Sequence, residues 1–300
     1  MKRFLTFLII CFAPAAYAQQ AAQTPAPQSA PAPIAEEEGS VTITTEDGWE
    51  IKAIYAQAQP PEGQDAPPAA GKAVIFLHEL MGGKNDFKNL AKKLNQFGFT
   101  TLAVDLRGHG GSVNLGEQSA FKKTGTDNEF NQMTRDVTAA IEYLAKNGFA
   151  APDVFLIGEG LGANVAARSI IFNPDIAGLA LLTPTLKSRD VLTMTGIKVN
   201  TKPVFIAVSS ADRKNMMEAS FIRNAAFLAS GQGKVTFLTA YDRRGAAMVE
   251  RYLADDLIQW LNYPQLPEVL PDIPPDVTLT QPQPADAQPP AQLAPPSVLF

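Results

Sequence analysis

The chain has 300 residues, 46% of them apolar, with 25 basic and 30 acidic side chains and a formal charge of −5. That apolar content suffices for a packed core, and an acidic balance without a basic patch argues against nucleic acid as a partner. The only cysteine is Cys11 and the only histidines are His78 and His109, so disulfides and a transition-metal centre are not expected.

In chain order, Lys2 and Arg3 precede an apolar run at 4–12, and Ala16-Tyr17-Ala18 precedes Gln19. A charged start, a short apolar run and a small-x-small site predict a Sec-type signal peptide, residues 1–18, cut after Ala18. The run is shorter than the roughly 20 residues a membrane span needs, and Ile10 is too bulky to precede a lipid-bearing Cys11. Cleavage removes Cys11, Lys2 and Arg3, leaving 23 basic against 30 acidic residues. Export without disulfides predicts a bacterial periplasmic or secreted protein with no membrane anchor.

Proline marks the boundaries. Of 24 prolines, only Pro152, Pro174, Pro184 and Pro203 fall between Lys72 and Tyr263. Residues 19–39 are rich in alanine and proline and read as a solvated linker. Residues 264–300 hold 11 prolines, the acids Glu268, Asp272, Asp276 and Asp286, and no lysine or arginine. This composition predicts an extended, anionic, disordered tail that acts as a spacer.

Residues 40–263 have the length of one domain. Segments 41–45 and 49–55 flank Glu46-Asp47-Gly48 and predict an N-terminal hairpin. Continuous apolar runs at 72–77, 100–104, 153–157, 176–182, 203–208 and 235–240 suit buried parallel strands. Helical stripes fall between them: Phe87, Leu90, Leu94 and Phe97 share one face, as do Met133, Val137, Ile141 and Leu144. Helices are also expected at 161–172, 215–229 and 246–261. The alternation predicts an α/β fold with a mostly parallel sheet and helices on both faces. The sequence does not decide whether a lid lies in 114–128 or 183–200.

Directly after the third apolar run, Gly158-Glu159-Gly160-Leu161-Gly162 has the Gly-x-Ser-x-Gly layout of a nucleophile elbow, with glycine at the serine position. Three other segments join it in order: Leu77-His78-Glu79-Leu80, the turn Arg107-Gly108-His109-Gly110-Gly111-Ser112, and Ser209-Ser210-Ala211-Asp212. Together they resemble an α/β-hydrolase domain, nearest the dienelactone-hydrolase and serine-aminopeptidase-like branches. The resemblance implies the α/β-hydrolase fold over 40–263, with Gly160 at the nucleophile position and Asp212 at that of the triad acid. Arg244, in Arg243-Arg244-Gly245, stands where the family has its histidine. His78 matches a histidine of the oxyanion loop, and His109 matches a turn histidine; neither is the family's base.

Acyl transfer of this kind needs a hydroxyl nucleophile, a histidine that takes its proton, and donors for the oxyanion. Gly160 has no oxygen, and a guanidinium at Arg244 is no general base near neutral pH. The expectation is a pseudo-enzyme without catalytic residues, binding a small ligand or a periplasmic protein. The backbone N–H groups of Leu80 and Leu161 would form an anion-accepting corner, with His78 beside it, and no cofactor is expected. Two alternatives stay open: a hydrolase of esters or amides working through a non-standard site, or a dinucleotide-binding protein reading Gly158, Gly160 and Ala163 as its fingerprint. For the second, 181–184 offers no acid to hold a ribose.

Overall fold

The computed structural model describes residues 38–59, 69 and 71–265. The expected signal peptide, nearly all of the linker and the tail beyond Gln265 lie outside the described residues. A hairpin of β1 (Ser40–Thr44) and β2 (Glu50–Ala56) opens the domain, followed by β3 (Ala73–Leu77), α1 (Lys88–Gln96), β4 (Thr100–Val104) and α2 (Glu129–Lys146). Next come β5 (Val154–Glu159), α3 (Leu161–Ser169), β6 (Gly178–Leu182), the short strands β7 (Lys187–Ser188) and β8 (Val191–Leu192), and α4 (Thr193–Ile197). The chain continues through β9 (Val204–Ser209), α5 (Arg213–Ser230), β10 (Val235–Ala240), α6 (Gly245–Met248) and α7 (Ala254–Asn262).

Eight strands form one sheet in the order β1-β2-β4-β3-β5-β6-β9-β10. The hairpin strands and the β2–β4 pair are antiparallel, and every pair from β4 to β10 is parallel. The runs lack polar alternation because both faces are covered: all residues of β3, β4, β6 and β9 are buried. Alternate side chains feed two cores. Ile75 and Leu77 point into one with Met133, Val137 and Leu144 of α2, while Val74 and Phe76 join Phe87, Leu90, Leu94 and Trp260 in the other. Phe76 stacks on Phe87 with ring centroids 4.7 Å apart. Burying such a side chain contributes about 1.5–3 kcal/mol.

The structure departs from the sequence reading at two helices and fills one stretch that the sequence left undecided. Phe97, expected on the α1 stripe, is the residue that ends the helix and is 45% exposed. Residues 183–200 carry the β7–β8 ribbon and α4, which packs on α3. The single helix expected at 246–261 is interrupted by a π-helical turn, Val249–Leu253, between α6 and α7. That wide turn lets Met248 and Val249 on one side and Leu257 and Leu261 on the other all reach the same core.

Candidate active site

β5 ends in a sharp reversal. Gly160 has φ +51° and ψ −110° and hands the chain to the N-terminus of α3. Such a dihedral pair strains any L-residue and is readily adopted by glycine. The turn is tight on its inner side, where a Cβ on Gly162 would strike the Leu77 carbonyl and one on Gly158 would strike the Gly162 carbonyl. Of the glycines read as a dinucleotide fingerprint, Gly158 is accounted for by close packing of β5 on α3 and Gly160 by the left-handed turn. Sheet order, elbow position and helix placement define an α/β-hydrolase.

A Cβ built on Gly160 would fall on the Oε2 atom of Glu79. The Glu79 carboxylate therefore occupies the space of a nucleophile's side chain. Its Oε1 atom accepts the Leu80 N–H at 2.7 Å, so the donor expected in the anion-accepting corner is already engaged. Leu161, the other expected donor, is the first residue of α3 directly behind the elbow.

The same substitution of groups recurs at Gly245, which has φ +53°. A Cβ there would fall on the carboxyl group of Glu159, whose Oε2 accepts the Ala246 N–H at 2.9 Å. Thr183 Oγ1 accepts the Gly245 N–H at 2.9 Å, so two side chains hold the start of α6. Burial pushes the Glu159 carboxyl up, the Ala246 N–H opposes this, and the charges of Glu79 and Asp86 push it up further. Two carboxylates thus fill the space beside the two glycines.

Asp212 and Arg244 come together. Asp212 Oδ1 accepts the Asn215 N–H at 3.0 Å and caps α5, while Oδ2 lies 3.7 Å from Arg244 Nη1. Arg244 is more than half exposed, so this pair contributes little stability. It brings together the two residues that the resemblance sets at the positions of the triad acid and the triad histidine.

His78 and His109 support the loop. His78 is fully buried, with Nδ1 2.7 Å from the Glu79 carbonyl and Nε2 accepting the Leu106 N–H at 3.0 Å. Both ring nitrogens are occupied, so His78 offers neither to a ligand in this conformation. Burial pushes it down to about 4, which keeps the ring neutral with its proton on Nδ1. His109 bridges the Leu80 and Arg107 carbonyls at 2.5 and 3.0 Å. Asp105, also buried, accepts the N–H groups of Lys84 and Gly111 and pairs with Lys84 Nζ at 3.0 Å.

Arg107 anchors the turn more deeply. It is fully buried, meets Asp136 of α2 through its Nε at 2.8 Å, and reaches Asp47 of the β1–β2 turn at 2.8 Å and Glu129 at 3.2 Å. Burial works against its charge, but Asp136 and Asp47 outweigh it and raise the guanidinium above its ordinary value. Sequence reading did not anticipate the placement of Glu79. The signal was present in the His-Glu pair, which puts a long acid one residue before Leu80 in a chain whose elbow has no side chain.

Comparison with known proteins agrees with this architecture. The family model described as serine aminopeptidase, S33 (Hydrolase_4) matches residues 68–259. The chain belongs to this family of α/β-hydrolases. Over 105 residues it is 30% identical to the sn-1-specific diacylglycerol lipase ABHD11 of Mus musculus; the match covers 35% of this chain and 29% of that relative. The esterase Pf2001 of Pyrococcus furiosus superposes with a TM-score of 0.58 at 17% identity, over 75% of this chain and 92% of that one. An esterase from Exiguobacterium antarcticum gives 0.54 at 14% identity, over 73% and 98%. At these identities the structural likeness speaks for the fold.

Proposed function

We propose that this chain is an exported α/β-hydrolase-like protein that does not carry out acyl transfer and serves to bind a small ligand or a periplasmic protein. One observation carries the reading: at the elbow, the Glu79 carboxylate takes both the space of the nucleophile and the N–H of Leu80. A tetrahedral oxyanion needs donors directed at it. Here it would meet a carboxylate of its own sign. No hydroxyl stands at position 160, and Arg244 beside Asp212 takes up no proton from a nucleophile. The signal peptide reading of residues 1–18 supports the compartment.

The second reading, hydrolysis through a non-standard site, draws on the carboxylates Glu79 and Glu159, of which Glu159 is pushed up by burial as a general acid requires. One experiment separates the two. The purified full-length mature protein is incubated with p-nitrophenyl esters and, separately, with a fluorophosphonate probe. The expected result is neither turnover above background nor labelling. Stoichiometric labelling of a core serine would overturn the proposal. Turnover without labelling that disappears in Glu159→Gln would favour the carboxylate site.

A further inference from the structure

The parallel strands all begin at the edge of the sheet opposite the elbow, and that edge holds a pocket of about 390 Å³. Its wall includes Lys72, directly before β3, Lys202, two residues before β9, and Lys234, directly before β10. Among the described residues of the wall, Asp175 is the one carboxylate. Lys72 Nζ donates to the Leu261 and Asn262 carbonyls at 3.2 Å, and Lys234 Nζ donates to the Thr201 carbonyl at 3.1 Å. No salt bridge among the described residues engages these three lysines; Asp153 acts on Lys72 only at longer range. The pocket is therefore a basic recess in an acidic protein.

The chain itself leaves α7 through this recess. Pro264 and Gln265 are part of the wall, and the sequence that follows carries Glu268, Asp272 and Asp276 with no basic residue as far as Phe300. At no more than about 3.6 Å of chain per residue, Glu268 stays within about 11 Å and Asp272 within about 25 Å of Gln265. Both acids are thus tethered within range of the lysines, at an effective concentration on the order of millimolar. The emptied elbow and Arg244 lie at the far ends of the strands, about 17–20 Å of strand length away. A cover over the elbow would have to run past the recess first.

We infer that the segment 266–276 docks in this recess, with the carboxylates of Glu268 and Asp272 on Lys202 and Lys234. The occupant is chosen by charge, by the absence of salt bridges to these lysines and by the point where the chain exits.

The test is zero-length carbodiimide crosslinking of the full mature chain at low salt, with peptide mapping of a mixture of light and isotopically heavy protein. The expected products join Glu268 or Asp272 to Lys202 or Lys234 within one chain. They should form about tenfold more often than links to Lys122 or Lys214, which lie beyond the other ends of the strands, and fade in about 0.5 M salt. Lys202→Gln with Lys234→Gln should remove them while leaving the melting temperature unchanged. Links spread evenly over the surface lysines would overturn the inference, and so would links found only between light and heavy chains. Neither outcome bears on whether the elbow is catalytic.

Discussion

Two neighbouring regions share the upper edge of the sheet and differ in kind. In the turn 107–112 and the loop it supports, buried polar groups are met: Arg107 by Asp136 and Asp47, Asp105 by Lys84 and Gly111, His78 by Glu79 and Leu106. At the elbow, the reversal at Gly160 carries no side chain and the Glu79 carboxylate fills the space that a Cβ would take. Support and chemistry are thus separable within a few residues. Low-dielectric ion pairs make the support costly to disturb, because removing one partner strands the other.

The sharpest way to test that contrast is Arg107→Ala. It leaves Asp136 fully buried with only the backbone N–H of position 107 to meet it, so a loss of about 3–5 kcal/mol is expected in urea unfolding. A loss within 1 kcal/mol of zero would mean that the turn is not held by this network.

The next effect is a pH dependence. Burial holds folded His78 at about 4, below its ordinary value near 6.5. Between those values the unfolded chain binds a proton that the folded one refuses. The contribution is therefore fully present above pH 6.5 and is lost as pH falls towards 4, by up to about 3 kcal/mol. His78→Asn should flatten that slope relative to the parent. Burial pushes Asp136 up to about 6 and leans the opposite way, but it is common to both proteins and cancels in the comparison. Parallel stability curves for the two from pH 7 to 4 would contradict the assignment.

The smallest effect belongs to the elbow. Gly160→Ser places a Cβ at φ +51° and must displace Glu79, at a cost of about 1–3 kcal/mol. Glu79→Ala in the same chain should recover part of that cost, giving a double-mutant cycle with clear coupling. Additive melting data would show that Glu79 leaves its position freely.

Much of the fold was legible because its strands are buried on both faces and its helices carry apolar stripes, and both patterns are written in residue type. Phe97 shows the limit: its spacing fits the α1 stripe, yet the helix ends there and the ring turns outward. The resemblance picked out Asp212 and Arg244 separately, and their 3.7 Å contact came from the fold. The Glu79 and Glu159 placements did not follow, since they depend on where a flexible side chain goes when a neighbour at 160 or 245 has none. A glycine in a sequence marks missing atoms and does not say what fills the gap.

The π-turn at Val249–Leu253 has a consequence for how this domain tolerates changes of length. It holds one residue more than an α-helical turn, so the faces of α6 and α7 are set independently on either side of it. α6 is fixed from above by Glu159 and Thr183, while α7 is fixed from below by Trp260 against Phe155 and Phe205. The turn works as an expansion joint: a gained or lost residue upstream can be taken up there as a change of local winding, leaving Leu257 and Trp260 facing the sheet.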